Sequence, residues 1–359
     1  MNYKTHGQMS ESILTAAFLS ISGGLQDAYT YLFRGKVFAN AQTGNIVLLS
    51  QNIMEKNWHL VIHYMIPLVS FAIGIVAAEI IRTKFQRVQQ IHWRQLVLII
   101  EIFLLLFVGF IPENLNMLAN AVVSFSCAMQ VQTFRKVNGY AFASTMCIGN
   151  IRSGMESLCV FGRTRDKHIL FKSLCYFAVI VMFAFGAGLG SGLISTLKGF
   201  QMNADEVTKV VDVVNEVANT EPIDTAGIFD GLTRSASSMK AANNTFEETV
   251  ALITAANSVV QDPDSVGTAF KTISMRIRGA STDMEKAGLD TEGMAESTAK
   301  LRQEVMALSG VDIMKNENEF KSTYDILDEL STKWQDLTDI QQASLTELIA
   351  GKRQGNIVS

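Results

Sequence analysis

The chain has 359 residues with 30 Lys and Arg, 34 Asp and Glu, and a mean hydropathy of +0.21. The charges are segregated: residues 1–198 hold 16 bases and 8 acids, whereas residues 199–359 hold 14 bases and 26 acids. A basic, apolar part is what a bacterial membrane segment with cytoplasmic Lys and Arg looks like, and the acidic part argues against nucleic-acid binding.

Five stretches in the first part are apolar and long enough to cross a bilayer, at about 12–33, 60–82, 95–112, 115–134 and 173–195. The first is interrupted by Gly23, Gly24 and Asp27 and has no clear cleavage site, which argues against a signal peptide. Arg82, Lys84, Arg87 and Arg94 follow the second stretch. Arg135, Lys136, Arg152, Arg163, Arg165, Lys167 and Lys172 follow the fourth. Both connections are expected in the cytoplasm, and the Pro112-Glu113-Asn114 turn outside. The N-terminus is then inside, residues 199–359 are outside, and Arg34, Lys36 and Lys56 are mild violations. The four cysteines, Cys127, Cys147, Cys159 and Cys175, show no CxxC pattern and read as small apolar residues in membrane helices.

An internal repeat runs through this part. Gln26 recurs as Gln130 and Phe38-Ala39 as Phe142-Ala143, 104 residues apart; Gly44-Asn45-Ile46 recurs as Gly149-Asn150-Ile151, 105 apart. Three crossings separate the copies, so they have opposite orientation, the inverted arrangement of many secondary transporters. Each copy places a polar segment just after a span: Asn40, Gln42, Thr43, Gly44 and Asn45 in the first, Ser144, Thr145, Gly149, Asn150 and Arg152 in the second. Irregular backbone at membrane depth needs protein or a water-lined cavity around it. The two segments are therefore expected to meet at a polar site, with Thr43 and Asn45 donating at a half-helix N-terminus that favours anions. The competing reading is a pair of loop turns, with Thr43 capping the following helix. The candidate substrate-binding set is Gln26, Asp27, Asn40, Thr43, Asn45, Gln130 and Asn150, for a small-molecule or ion substrate.

Asp27 and Glu101 lie deepest in apolar runs, where charge is costly and polar groups face the bundle interior. Asp27 is placed to pair with Arg34, relay a proton or bind a cation; as a bland alternative it is a polar partner for another helix. Glu79 reads as a snorkelling residue near a helix end. His59 and His63 share a helix face with Glu55, but no further ligand completes a metal site. Gly186, Gly188, Gly190 and Gly192 read as close helix packing.

The run Gly24-Leu25-Gln26-Asp27-Ala28 followed by Phe38-Ala39-Asn40-Ala41-Gln42-Thr43-Gly44-Asn45-Ile46 resembles the signature of the YoaK-like family of bacterial membrane proteins. The resemblance covers roughly residues 10–195. It implies an inner-membrane protein of unknown function with about six spans, transport suspected and no established substrate. A sixth span is not seen in this sequence.

From about Gly199 the pattern is amphipathic and helical. Asn203-x-x-Glu206 opens a helix with Val207, Val210, Val211, Val214 and Val217 on one side. Ile228, Leu232 and Met239 mark another. Thr245-x-x-Glu248 is a capping box, Asp262-Pro263 starts a helix that Gly279 ends, and residues 294–309 form one closed by Gly310. Tyr324, Leu327, Leu330 and Trp334 line the next, and Thr338-x-x-Gln341 caps the last before Gly351. This part has no Cys and no His, and no catalytic constellation. Gly351-Lys352-Arg353-Gln354-Gly355-Asn356 lacks the spacing and the Ser/Thr of a phosphate loop. Arg276 and Arg278 read as solvated or salt-bridged residues at a helix end.

The segments Arg234-Ser235-Ala236-Ser237-Ser238, Thr254-Ala255-Ala256-Asn257-Ser258, Thr272-Ile273-Ser274-Met275-Arg276-Ile277-Arg278-Gly279, Lys333-Trp334-Gln335-Asp336-Leu337-Thr338 and Leu348-Ile349-Ala350-Gly351-Lys352-Arg353 resemble a central part of phage tail tape measure proteins. That resemblance implies a non-enzymatic structural protein that sets tail length, with tail proteins or further copies of itself as partners. The expected whole is all-α: a polytopic bundle of about five spans over residues 1–195, lacking the last span, joined near Ser195 to a soluble helical segment over residues 196–359. No enzyme activity and no cofactor are expected, and the lipid bilayer is the first partner. Two alternatives stand beside this chimera: a tape measure protein with an aberrant apolar start, and a fusion artefact with no unified function.

Overall fold

The computed structural model describes residues 9–87, 92–137, 139–203 and 206–357, apart from the side chains of Glu113 and Asn356. It is mainly helical and divides into two compact units, Met1–Ser191 and Gly192–Ser359.

The first unit contains α1 (Ile13–Leu32), α2 (Gln42–Met54), α3 (Trp58–Phe85), α4 (Trp93–Gly109), α5 (Asn116–Thr133), α6 (Cys147–Thr164) and most of α7 (Lys167–Phe200). Two of these, α3 and α7, are long and apolar enough by themselves to cross a membrane. Short polar residues start several helices: Ser12 accepts from the Thr15 N–H, and Asn57 from the Leu60 N–H. His92 and Gln95 cap α4 reciprocally. A short hairpin of β1 (Lys136–Val137) and β2 (Tyr140–Ala141) follows α5. Large apolar side chains point outward along these helices, among them Ile73, Val76, Phe103, Leu106, Leu174 and Val181. In water such a surface would be an unsatisfied patch; against lipid it is the expected solvent-facing side.

Helices α2 and α6 correct the expected layout. Thr43, Gly44 and Asn45 lie in the first turn of α2, and Gly149, Asn150 and Arg152 in the first half of α6, so the irregular backbone is confined to the residues before them. With 13 residues α2 is about 20 Å long, too short for the hydrocarbon layer.

The repeat has a packing counterpart. α3 packs on α5 and α7 on α1, each through a glycine. A Cβ on Gly74 would stand 2.4 Å from the Phe125 carbonyl oxygen, and one on Gly186 would stand 2.1 Å from that of Ile21. Ile21 and Phe125 are 104 residues apart, the offset that relates Gln26 to Gln130. Gly190 meets Ala28, whereas Gly188 faces open space, and Gly192 packs on Phe229 in the second unit.

The second unit contains α8 (Val207–Thr220), α9 (Thr225–Ala241), α10 (Phe246–Val260), α11 (Pro263–Ile277), α12 (Ser281–Lys286), α13 (Thr298–Ser309), α14 (Thr323–Lys333) and α15 (Asp339–Ala350), with a hairpin of β3 (Met314–Asn316) and β4 (Glu319–Phe320) before α14. The capping boxes at Thr245 and Thr338 form, and Pro263 opens α11. Gly279, Gly310 and Gly351 end their helices at positive φ. α13 starts four residues later than its apolar pattern suggests, because the Ser297 hydroxyl accepts from the Lys300 N–H and fixes the cap there. Ile228, Leu232, Met239, Ile253, Ile273 and Ile277 fill the core.

Arg276 and Arg278 are not solvated helix-end residues. Arg276 is 1% exposed and donates to four carbonyl oxygens, those of Glu347, Leu348, Asp290 and Glu292, at 3.0–3.3 Å. It thereby satisfies C-terminal carbonyls of α15 and ties in the loop after α12. Burial holds its guanidinium below the usual value. Arg278 donates to the Lys321 carbonyl and stacks on the Phe320 ring.

Candidate functional site

The polar residues of the first unit converge on α1. Asp27 ends up beside the N-terminus of α2 because the chain turns back after α1, through Gly35 and Lys36 at positive φ. Its Oδ1 accepts from the Asn40 N–H at 2.7 Å, and the backbone N–H groups of Ala39 and Ala41 also face the carboxyl. α2 has no side-chain cap of its own. The Asp27 carboxyl thus sits where an anion would bind, at the positive end of a short helix. That end is filled by the chain itself.

Arg34, one of the partners considered for Asp27, points elsewhere. It is buried and donates to the carbonyls of Ile111 and Pro112, to Asn116 Oδ1 and to the Tyr29 hydroxyl. The backbone after α4 offers a ready set of carbonyl acceptors, and a guanidinium with five donors satisfies several at once.

Asn40 donates its Nδ2 to the Gly23 carbonyl at 3.2 Å, while the Thr145 methyl lies against Gly23 from the second polar segment. The two segments therefore meet across α1 at Gly23. Gln26 donates Nε2 to Ser22 Oγ and accepts from the Cys127 thiol. Its repeat partner Gln130 donates Nε2 to the Leu19 carbonyl at 3.0 Å and to Ser144 Oγ at 3.1 Å. Glu101 reaches this group from α4 and lies beside Gln26. Cys127 faces Asp27, Glu101 and Asn40. Oxygens of Asn40, Glu101 and Gln130 in the cluster are buried without a hydrogen-bond partner.

Gln26, Asp27, Asn40 and Gln130 are thus brought together. Asn45 and Asn150 have another task. Asn45 clasps the Phe38 backbone, taking its N–H on Oδ1 and giving Nδ2 to its carbonyl. Asn150 gives Nδ2 to the Ala143 carbonyl at 2.7 Å. Each bond spans seven residues, so the two are related by the repeat and lock the segment before each helix. Thr43 is exposed in the first turn of α2; Ala41 occupies the N-cap, so Thr43 caps nothing. Glu101, Cys127 and Ser144 belong to the cluster but not to the candidate set. The signal for Glu101 was present, an acid in the middle of an apolar run. His63 hydrogen-bonds the Gly35 carbonyl, and no cluster of three or more metal-ligating side chains occurs among the described residues.

Comparison with known proteins divides along the chain. Residues 15–204 match the family model described as Protein of unknown function (DUF1275). Residues 180–351 match the model described as Phage-related minor tail protein. The two matches share residues 180–204, the stretch that contains the boundary between the units. UPF0700 transmembrane protein YoaK of Bacillus subtilis (strain 168) is 24% identical over 180 residues, covering 48% of this chain and 79% of that protein. No solved structure matches the chain. The chain belongs to the DUF1275 membrane family through residues 15–204, and it carries a phage-related minor tail domain whose match, residues 180–351, begins within that stretch.

Proposed function

We propose that residues 15–204 are a non-enzymatic transport unit of the bacterial inner membrane, with spans α1, α3, α4, α5 and α7 and the short helices α2 and α6 on opposite sides. The observation that carries this reading is the pair of glycine contacts, Gly186 on Ile21 and Gly74 on Phe125, whose carbonyl partners lie one repeat apart, flanking a buried polar cluster. Inverted repeats around a polar centre are the architecture of alternating access. A small polar solute or ion would meet Gln26, Asn40 and Gln130. The test is electrical recording from vesicles containing the purified protein, challenged with inorganic monovalent ions, amino acids and small organic acids. Charge movement above that of empty vesicles, lost in Asn40→Ala and Gln130→Ala, is expected. No movement with any of these probes would sink the proposal.

For the acidic unit we propose a structural role derived from a phage tail, of the tape measure kind, acting by self-association or by contact with tail proteins. Its match to a minor tail model favours this, and five spans from an inner N-terminus would place it outside. Amplifying DNA across codons 180–210 tests whether the join exists in the source. Failure to obtain one continuous product would remove any joint function.

A further inference from the structure

Glu101 lies on α4, the helix between the two repeat copies, with 4% of its surface exposed and Oε2 lacking a hydrogen-bond partner. Arg34, which is buried, and Arg94, which is partly buried, are engaged elsewhere. Arg34 is held by Tyr29, Asn116 and the carbonyls after α4, and Arg94 pairs with Glu11 at 3.0 Å. Among the described residues, the groups that face the cluster are Gln26 and Asp27 from α1, Asn40 from the turn before α2, Cys127 and Gln130 from α5, Ser144 from the turn before α6 and Cys147 from α6. None of them is a cation. Asp27 differs from Glu101 in one decisive respect: it accepts a backbone N–H at 2.7 Å, whereas the polar neighbour of Glu101 is the Gln26 amide.

An ionised carboxylate buried in apolar surroundings is tolerated when cations or several donors replace its water. Glu101 has neither, so the form its site accommodates in this closed arrangement is the neutral acid. We propose that Glu101 is a proton-binding residue, and that it couples the transport unit to protons. The coupling role rests on the transport reading; the bound proton does not. When the cluster opens to water, the Glu101 acid releases H+ to that water and becomes a carboxylate. When it closes, H+ returns from the side then open, and no other bond changes. Gln26 moves with this step, because it joins Glu101 to Cys127 and, through Cys127, to the Asp27–Asn40 contact that holds the start of α2. Asn40 Oδ1, also buried without a partner, is the acceptor a solute would meet first.

The test uses the full chain in vesicles of phosphatidylethanolamine and phosphatidylglycerol, titrated by infrared spectroscopy. The expected result is a protonated-carboxyl band at neutral pH that Glu101→Gln removes, Asp27→Asn retains and Glu101→Asp shifts. An unchanged band in a folded Glu101→Gln variant would overturn the assignment. Should that variant fail to fold, Glu101→Asp decides: an unshifted band overturns it. An imposed pH gradient with a dye inside the vesicles then tests coupling. Proton movement slower in Glu101→Asp than in the parent supports it, and equal rates overturn it. Loss of proton movement with solute flux intact leaves the transport reading standing.

Discussion

Gly186 approaches Ile21 so closely that a Cβ would stand 2.1 Å from the Ile21 carbonyl oxygen. The neighbouring atoms are backbone, which cannot rotate away as a side chain can. Gly186→Ala is therefore expected to push α7 off α1, at a cost of about 1–3 kcal/mol. Gly74→Ala should behave the same way between α3 and α5, with 2.4 Å to the Phe125 carbonyl oxygen. Gly188→Ala, with open space around it, is the control and should leave the unfolding midpoint in detergent unchanged. Equal midpoints for all three variants would refute the helix contacts.

Asp27 separates a structural from a charged role by chemistry. Its Oδ1 accepts the Asn40 N–H, and an Asn at this position still offers an oxygen. Asp27→Ala should destabilise the first unit by about 1–3 kcal/mol, because buried N–H groups lose their acceptor. Asp27→Asn should lose less. Thermal unfolding of the two variants, followed by size exclusion, decides it; identical losses would mean that the carboxylate charge matters more than the hydrogen bond.

The long apolar runs placed the helices α1, α3, α4 and α5 to within about three residues, whereas α7 starts six residues before its run and ends five after it. A helix beginning near Thr43 was expected, but the full extent of α2 and of α6 was not legible. The bonds that stabilise the turn before each helix reach back seven residues, from Asn45 to Phe38 and from Asn150 to Ala143. The spacing of 104 residues was visible in Gln26 and Gln130, but its consequence, the matching contacts at Ile21 and Phe125, belongs to packing. Pairing with Arg34, one of the options open to Asp27, is outcompeted by the carbonyls after α4. In the second unit the caps announced themselves through Thr245, Asp262 and Thr338. Arg276 did not, since a base at a helix end looks the same in sequence whether it meets water or four carbonyls.

Arg276 supplies the next test. Its guanidinium reaches α15 and the loop after α12 together, and Gly351 leaves room for it: a Cβ there would stand 3.0 Å from Nη1. A lysine has one ammonium and cannot span carbonyls on two elements. Arg276→Lys and Arg276→Ala are both expected to destabilise the second unit by about 3 kcal/mol or more, through stranded buried carbonyls. Protease sensitivity between residues 287 and 297 should rise in both. A lysine variant as resistant as the parent would show that one bond suffices.

The last prediction concerns pH. Arg302 grips Asp312 with two bonds, Nε to Oδ1 at 2.7 Å and Nη2 to Oδ2 at 2.5 Å, and Oδ1 also accepts the Met314 N–H. The Arg302 bond holds the Asp312 carboxyl below its ordinary value. A group whose folded value is depressed stabilises the fold above its unfolded value, about 3.9 for Asp, and loses that contribution as pH falls through the folded value. The stabilisation is thus complete at neutral pH and disappears in acid. Asp262, lowered by its bonds to Ser265, adds a contribution of the same sign. The difference between parent and Asp312→Asn isolates the first. Trp334 fluorescence in a Trp58→Phe, Trp93→Phe background reports unfolding of this unit in the full chain. The parent should exceed Asp312→Asn in midpoint at pH 7, and the gap should close below about pH 3.9. A gap that stays constant into acid would mean that the pair adds nothing through its charge.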